Sequence, residues 1–521
     1  MELTNLDVEL SNTQLVLIGF ALAVVYVLIE YRDGRAFGTK HRPDLYSPRG
    51  IPGLGNLIDV ARHRDQVLEM MYQSYHDNKS GKTMSLVLPG QRMIALTKPE
   101  HLEHIQKTNF NNYGKGRQFH DNVKDILGDG IFAVDGDLWH KQRKATSRVF
   151  TGSAFRGVIS SSLDSSLTKT IKILESHANS GKPFALDTLF FAFTLQSFAE
   201  MAMGIDVGAL NLESDKPIPF AEAFDQAQEL LDRRFLDPTW KFTEKLDGRA
   251  RTMRRATKVL DDFCYKVIDD RRQKGLGNVT KEDKKDESLD LLSMFMALRD
   301  DQGQPLSDRQ LRDACLNLII AGRDTTAQAL SWTFWRLLAQ APEWMDKVRK
   351  EADESGELDY DSFRSFTLAN SVFMEGLRLS PSVPKNLWTA QGPDQIPNGP
   401  RIEKGDFVMW SDWLQNRLPE IWGQDATEYK PERWIDDEGK LKQESQWKFH
   451  AFNGGYRLCL GQDLAKYEAV VVISTLIKNF DFKFSSEYNP ELMPMEPTPR
   501  NRTSLTLPMR ESLMVTVSKR K

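Results

Sequence analysis

The longest apolar run lies at the N-terminus. From Thr13 to Tyr31 the chain reads TQLVLIGFALAVVYVLIEY, with no charged side chain before Glu30. At 1.5 Å rise per residue, a helix over Leu15–Ile29 covers roughly 22 Å, and its flanks bring it near bilayer thickness. A cleaved signal peptide would start basic and end on small residues. Here Glu2, Asp7 and Glu9 come first, and Arg32, Arg35, Lys40 and Arg42 all follow the run. Positive charge on that side keeps the body in the cytosol. Residues 1–31 therefore read as a retained membrane anchor. In that orientation the N-x-S/T triplets at Asn78, Asn278 and Asn501 are chance matches.

Periodicity changes after the anchor. Residues 32–56 carry Pro43, Pro48, Pro52, Gly50, Gly53 and Gly55, which no helix interior accepts. They read as a stiff, irregular hinge before a body spanning 57–521. KTMSLVLPGQRMIALT shows two apolar runs about Pro89-Gly90, a hairpin pattern. AFTLQSFAEMAM and FAEAFDQAQELLDRRFL space their apolar residues as helices do. RRQKGLGNVTKEDKKDESLD is charged throughout and reads as a solvated loop. The longest helical pattern runs from a Ser307 cap to a stop at Pro342, roughly 50 Å. Short strands and turns alternate in RIEKGDFVMW and SLTLPMRESLMVTVSK. The expected architecture is mainly α with a minor β-sheet part, preceded by one transmembrane helix.

Composition narrows the function. A net charge of −4 from 69 basic and 73 acidic residues argues against nucleic-acid binding. The three cysteines, Cys264, Cys315 and Cys459, are widely separated and form no C-x-x-C pair. That excludes the usual structural zinc sites and a disulfide framework.

Cys459 sits in FNGGYRLCLGQ, just before a helical pattern. Such a helix would start at or just after the cysteine, and its N-terminal N–H groups would favour the thiolate. Gly454 and Gly455 would let the backbone pass close to a flat ligand, and Gly461 would let the helix start lie against it. Arg457 is placed to meet a carboxylate on that ligand. Local physics leaves a buried filler, a nucleophile and a metal ligand all open. A nucleophile would want a histidine partner, and no nearby pattern supplies one. Within the long helix, AGRDTT (Ala321–Thr326) breaks helix preference with a glycine and two threonines. Gly322 would open a groove there for O2, and Asp324 with Thr325 supplies an acid and a hydroxyl. Glu375 and Arg378 stand three apart on a helix and can pair. Trp139 and Arg143 stand four apart in DGDLWHKQRK.

The spacing F-x-x-G-x-R-x-C-x-G, met at Phe452, Gly455, Arg457, Cys459 and Gly461, resembles the haem-binding loop of the cytochrome P450 family. The other motifs follow in that family's order across the whole chain after the anchor. The resemblance implies the cytochrome P450 fold, with haem b as cofactor, Cys459 thiolate as axial iron ligand and O2 as co-substrate. It implies that Asp324 relays protons and Thr325 steadies the oxygen intermediate. Glu375 and Arg378 become a buried pair completed by Arg433 of KPERW. Trp139, Arg143 and Arg457 become contacts of the haem propionates, with Lys115 or Arg117 of GKGRQF as further candidates. One departure stands out. Many members carry Arg or His where this chain has Trp388, so that contact is either lost or moved to Lys385. No flavin or dinucleotide domain is present, so electrons from NADPH must arrive through a separate NADPH–cytochrome P450 reductase, with cytochrome b5 as a further partner.

In FAEAFDQAQ, GDGIFAVDGDLWHKQRK, RLSPSVPKN and FNGGYRLCLGQ the chain resembles fungal microsomal members that hydroxylate n-alkanes and fatty acids. That implies an endoplasmic reticulum membrane, a substrate entering from lipid, and an apolar small molecule in the site. Its contacts are expected from Asn111–Ile131, Phe220–Phe235, Leu316–Ala321, Val383–Leu387 and Thr503–Leu507. A haem-thiolate isomerase or dehydratase needs no reductase and usually lacks the acid–threonine pair. A haem-binding sensor would bind the cofactor without turnover.

Overall fold

The computed structural model describes residues 11–150, 153–211, 218–237, 239–273, 290–299 and 302–520. Asn278 and most of the charged stretch after Arg271 lie outside the described residues. The chain divides into two compact units.

The first unit holds residues up to Leu96 together with Ala390–Met409. Its helix Asn12–Glu30 starts with a capping box between Ser11 and Gln14 and buries none of its residues. It is apolar and long enough to cross a membrane. The Pro/Gly segment that follows is irregular, as expected, and is pinned rather than loose. Asn56 grips the hairpin from both sides: its N–H donates to the Val87 carbonyl at 2.7 Å, and its Oδ1 accepts from the Val87 N–H at 3.0 Å. The predicted hairpin forms from Ser85–Leu88 and Gln91–Ala95, with Gly90 in the left-handed region the turn requires. Its second strand pairs in parallel with the Phe407–Met409 backbone.

The second unit is built around the 33-residue helix Asp308–Gln340. Ser307 and Gln310 form its capping box, and it ends one residue before Ala341-Pro342. Most of it is buried, because helices Leu186–Met203, Thr367–Leu379 and Gln462–Asn479 pack around it. Gly322 faces a neighbouring helix. A Cβ there would come within 2.0 Å of the Phe198 ring, so this glycine lets Leu186–Met203 press onto the long helix. A small antiparallel sheet, Phe184–Ala185 with Met514–Lys519 and Phe480–Phe484, closes one side.

Glu468 illustrates how dry this core is. It is buried on helix Gln462–Asn479 and takes one hydrogen bond, 2.9 Å from Ser197 Oγ. Burial pushes its pKa up to about 8, against the pull of Ser197. The folded state therefore holds a proton that the unfolded chain releases, so stability falls as pH rises from about 4.5 to about 8. Glu468→Gln is expected to raise the thermal midpoint at pH 8 and leave it unchanged at pH 4.5. Equal shifts at both pH values would show that the carboxyl is not protonated in the fold.

Candidate active site

Cys459 lies at the end of a loop closed by its own N–H, which donates to the Phe452 carbonyl at 2.8 Å. The following helix begins at Gln462 with Gly461 as its cap, so the expected start holds to within three residues. Cys459 is exposed, yet the protein around its sulfur pushes the thiol up by desolvation, while the Gly461 N–H and the Arg143 charge favour its thiolate. Gly461 is open toward the sulfur: a Cβ would meet nothing nearer than Sγ at 3.9 Å and Phe150 at 4.0 Å.

Gly454 and Gly455 do something other than expected. A Cβ on Gly454 would lie 2.3 Å from the Trp447 ring, and one on Gly455 would lie 2.5 Å from the Gln106 carbonyl oxygen. These glycines seat the loop on protein rather than clear space for a flat ligand. The same seating uses side chains that sequence reasoning missed. The Gly454 N–H donates to Gln106 Oε1 at 3.1 Å, and His450 Nε2 sits 2.9 Å from that same oxygen. An amide N–H can only donate, so Nε2 carries a proton. His450 Nδ1 meets Asp412 Oδ1 at 2.8 Å, and both residues are buried. No spacing rule links 106, 412 and 450, so no sequence signal pointed to them.

Behind the loop stands the Glu375 network. Glu375 and Arg378 are fully buried and bidentate, with both contacts at 2.8 Å. Arg433 Nε (3.4 Å), the Lys430 N–H (3.0 Å) and Trp434 Nε1 (2.9 Å) also point at the Glu375 carboxylate. Burial works against the carboxylate's charge, but Arg378 and the other donors hold its pKa below the usual range. Trp434 packs on Phe449 at 4.7 Å, and Phe449 on Phe452 at 6.2 Å. This ring series connects the ion pair to the cysteine loop.

Cations gather at another edge. Arg457 pairs with Asp135 at 2.8 Å, donates to the Val134 carbonyl and stacks over Trp139 at 4.1 Å. Arg143, on the same helix as Trp139, makes no hydrogen bond or ion pair among the described residues, and its charge acts on both Arg457 and Cys459. Lys115 joins them. Burial lowers its pKa to about 8, with Arg457 adding to the drop and Asp135 opposing it. Arg117 is exposed, so Lys115 is the better placed of the two candidates. Lys385 belongs elsewhere: its Nζ donates to the Ser504 carbonyl at 3.0 Å. Trp388, where a basic residue was the common alternative, is buried among Phe110, Trp410 and the Arg457 guanidinium.

On the long helix, Asp324 is buried and accepts from Gln228 Nε2 at 2.7 Å, with Arg323 at 3.4 Å. Arg323 also pairs with Asp225. Burial raises the Asp324 pKa despite Arg323 and Gln228. Thr325 Oγ1 donates back to the Ala321 carbonyl at 2.5 Å, as predicted. Ser382 donates to the Thr325 carbonyl at 2.7 Å and ties the next loop to this turn.

The five segments expected around a substrate are joined to one another. Asn317 donates to the Leu127 carbonyl, and Phe119 packs on Phe235 at 5.6 Å. The Leu505 N–H donates to Asp232, and Lys385 reaches Ser504.

The donor chemistry tests which cofactor fits. Among the described residues, Asp135 is the one carboxylate paired with this group: it pairs with Arg457 and acts on Lys115, while Arg143 has none, leaving two positive charges over. Arg457 Nε and Trp388 Nε1 are buried without a partner among the described residues. A porphyrin with two carboxylates and an iron seeking one soft ligand matches that surplus and the lone sulfur beside Gly461. The residues therefore suit a thiolate-bound haem that activates oxygen beside an acid and a hydroxyl.

Comparison with known proteins agrees. The cytochrome P450 family model matches residues 46–509. The cytochrome P450 monooxygenase cyp1 of Mycosarcoma maydis is 42% identical over 511 residues, 96% of this chain and 79% of its own. Cytochrome P450 86B1 of Arabidopsis thaliana is 36% identical over 443 residues, covering 81% and 76%. The alkane hydroxylase MAH1 of Arabidopsis thaliana is 31% identical over 440 residues, covering 83% and 85%. The chain belongs to the cytochrome P450 family and is a haem-dependent monooxygenase.

Proposed function

We propose that the enzyme inserts one atom of O2 into an unactivated C–H bond of a long-chain fatty acid or n-alkane. The observation that carries this reading is the joining of the five expected segments, with Gln228 bonded to Asp324 and Ser382 to Thr325. The relative named as an alkane hydroxylase supports it. Haem b, when bound, supplies the oxygen-activating and C–H-cleaving chemistry. Cys459 holds its iron, with Phe452 and Gly461 shaping the sulfur's surroundings. Arg457, Arg143 and Lys115 neutralise its carboxylates, and Trp139 supports Arg457 by stacking. Asp324 holds a proton at Oδ1 or Oδ2 and passes it inward. The Thr325 hydroxyl, which donates to the Ala321 carbonyl, would supply a hydroxyl donor beside the oxygen-activating haem.

Electrons come from NADPH through a separate NADPH–cytochrome P450 reductase, with cytochrome b5 as a second donor. Residues 1–31 anchor the protein in the endoplasmic reticulum membrane, and 32–56 connect the anchor to a cytosolic catalytic body of 57–521. Deleting residues 1–31 is expected to move the protein from the membrane pellet to the salt-washed soluble fraction. Full retention in the pellet would contradict a single anchor.

The test is reconstitution of the full chain with reductase, NADPH and either hexadecane or hexadecanoic acid. A product heavier by one oxygen, dependent on reductase, is expected. Conversion without NADPH would favour an isomerase or dehydratase, and haem binding with no conversion would favour a sensor. Thr325→Ala is expected to keep NADPH oxidation while diverting most of it to hydrogen peroxide. Unchanged coupling would remove Thr325 from this role.

A further inference from the structure

Lys385 is a half-buried base that the reaction above does not use. It sits three residues after Ser382, which is tied to Thr325. Its ammonium carries three donors, and the Ser504 carbonyl takes one of them at 3.0 Å. Among the described residues no carboxylate lies within ion-pair distance, although Asp232 on helix Pro219–Leu236 acts on its charge. Asp232 is itself held by the Leu505 N–H at 3.0 Å and by the Ser504 side chain. Three elements therefore present one polar cluster: the Ser382–Lys385 loop, the Ser504–Leu505 loop and the helix bearing Asp232. A lysine here is poorly explained as packing, since an apolar side chain of the same length would fill the space without desolvating a charge.

We propose that Lys385 binds an oxygen function on the end of an aliphatic substrate, a carboxylate or a hydroxyl, through the donors that Ser504 leaves over. This rests on the aliphatic substrate class above and deepens it: a bare hydrocarbon offers Lys385 no acceptor, whereas an acid or alcohol does. Asp232 sets which oxygen function is held. Burial raises its pKa to about 6, with Ser504, Leu505 and Lys385 opposing the rise and Asp324 adding to it. Near neutral pH it is ionised and competes with a substrate carboxylate for the Lys385 charge. The other charged groups near it are Asp324 and, beyond that, Arg323 with its partner Asp225.

The test is equilibrium binding to the haem-loaded full chain, read from the substrate-induced change in its visible spectrum. The probes are dodecanoic acid, 1-dodecanol and dodecane. The wild type is expected to bind at least one oxygenated probe about tenfold or more tightly than dodecane, the size of a hydrogen bond to a charged group. Lys385→Met is expected to erase that preference, and Lys385→Arg to restore most of it, which guards against a variant that merely misfolds. Asp232→Asn at pH 7.5 is expected to tighten dodecanoic acid if the carboxylate is the bound form, and to leave dodecanol unchanged. Equal wild-type affinity for all three probes, or a preference that survives Lys385→Met, would overturn the inference and leave the aliphatic reading standing. Binding of none of the three would overturn both.

Discussion

Asp324→Asn is expected to lower kcat by about 100-fold while substrate affinity, read spectrally, changes less than twofold. The side chain keeps its shape and its contact with Gln228, so binding should survive. What it loses is the ability to hold a transferable proton. Burial already raises the Asp324 pKa, against the pull of Arg323 and Gln228, which brings its protonated form nearer to working pH. The Arg323–Asp225 pair next to it ends at a more exposed carboxylate. The check is single-turnover and steady-state kinetics with reductase in excess. A kcat within threefold of wild type would show that protons reach the oxygen another way.

Glu375→Ala is expected to destabilise the folded enzyme by about 3–5 kcal/mol, because it strands Arg378 without a counter-charge in a fully buried place. Arg378 would keep the carbonyls of Asn416, Ala426 and Glu428, but these carry no full charge. Trp434 would lose the acceptor for its indole N–H, and with it the packing through Phe449 to the cysteine loop. Haem content should therefore fall together with stability. Denaturant unfolding followed by tryptophan fluorescence measures the first, and absorbance per protein the second. A loss below about 1 kcal/mol would mean that the pair behaves like an exposed one.

How much of this was legible beforehand depended on the range of the interaction. Ser307 as a cap, Pro342 as a stop and the Pro89-Gly90 turn are local, and the structure places each where the pattern put it. The pairing of Glu375 with Arg378 is one helical turn long and was equally readable, although its burial was not. The glycines show the limit. Gly322, Gly454 and Gly455 were correctly marked as needing no side chain, yet what they approach is Phe198, Trp447 and Gln106, distant in sequence. Without those neighbours, clearance for a ligand and clearance for protein look alike. Lys115, Arg117 and Lys385 are alike in type, and only their neighbours separate them: Arg457 for the first, solvent for the second, Ser504 and Asp232 for the third. The Gln106–His450–Asp412 contact joins residues up to 344 apart and left no periodic trace.

The cysteine is the centre of the account. Its local surroundings allowed three roles, and the shared arrangement of Gly461, Arg143 and the buttressed loop favours one. The most direct measurement is the absorption spectrum of the reduced, carbon monoxide-bound protein, wild type against Cys459→Ala. The wild type is expected to show the strongly red-shifted Soret band of a thiolate-ligated haem, and the variant to lose it. A wild type without that band, or a variant that keeps it, would contradict Cys459 as the iron ligand.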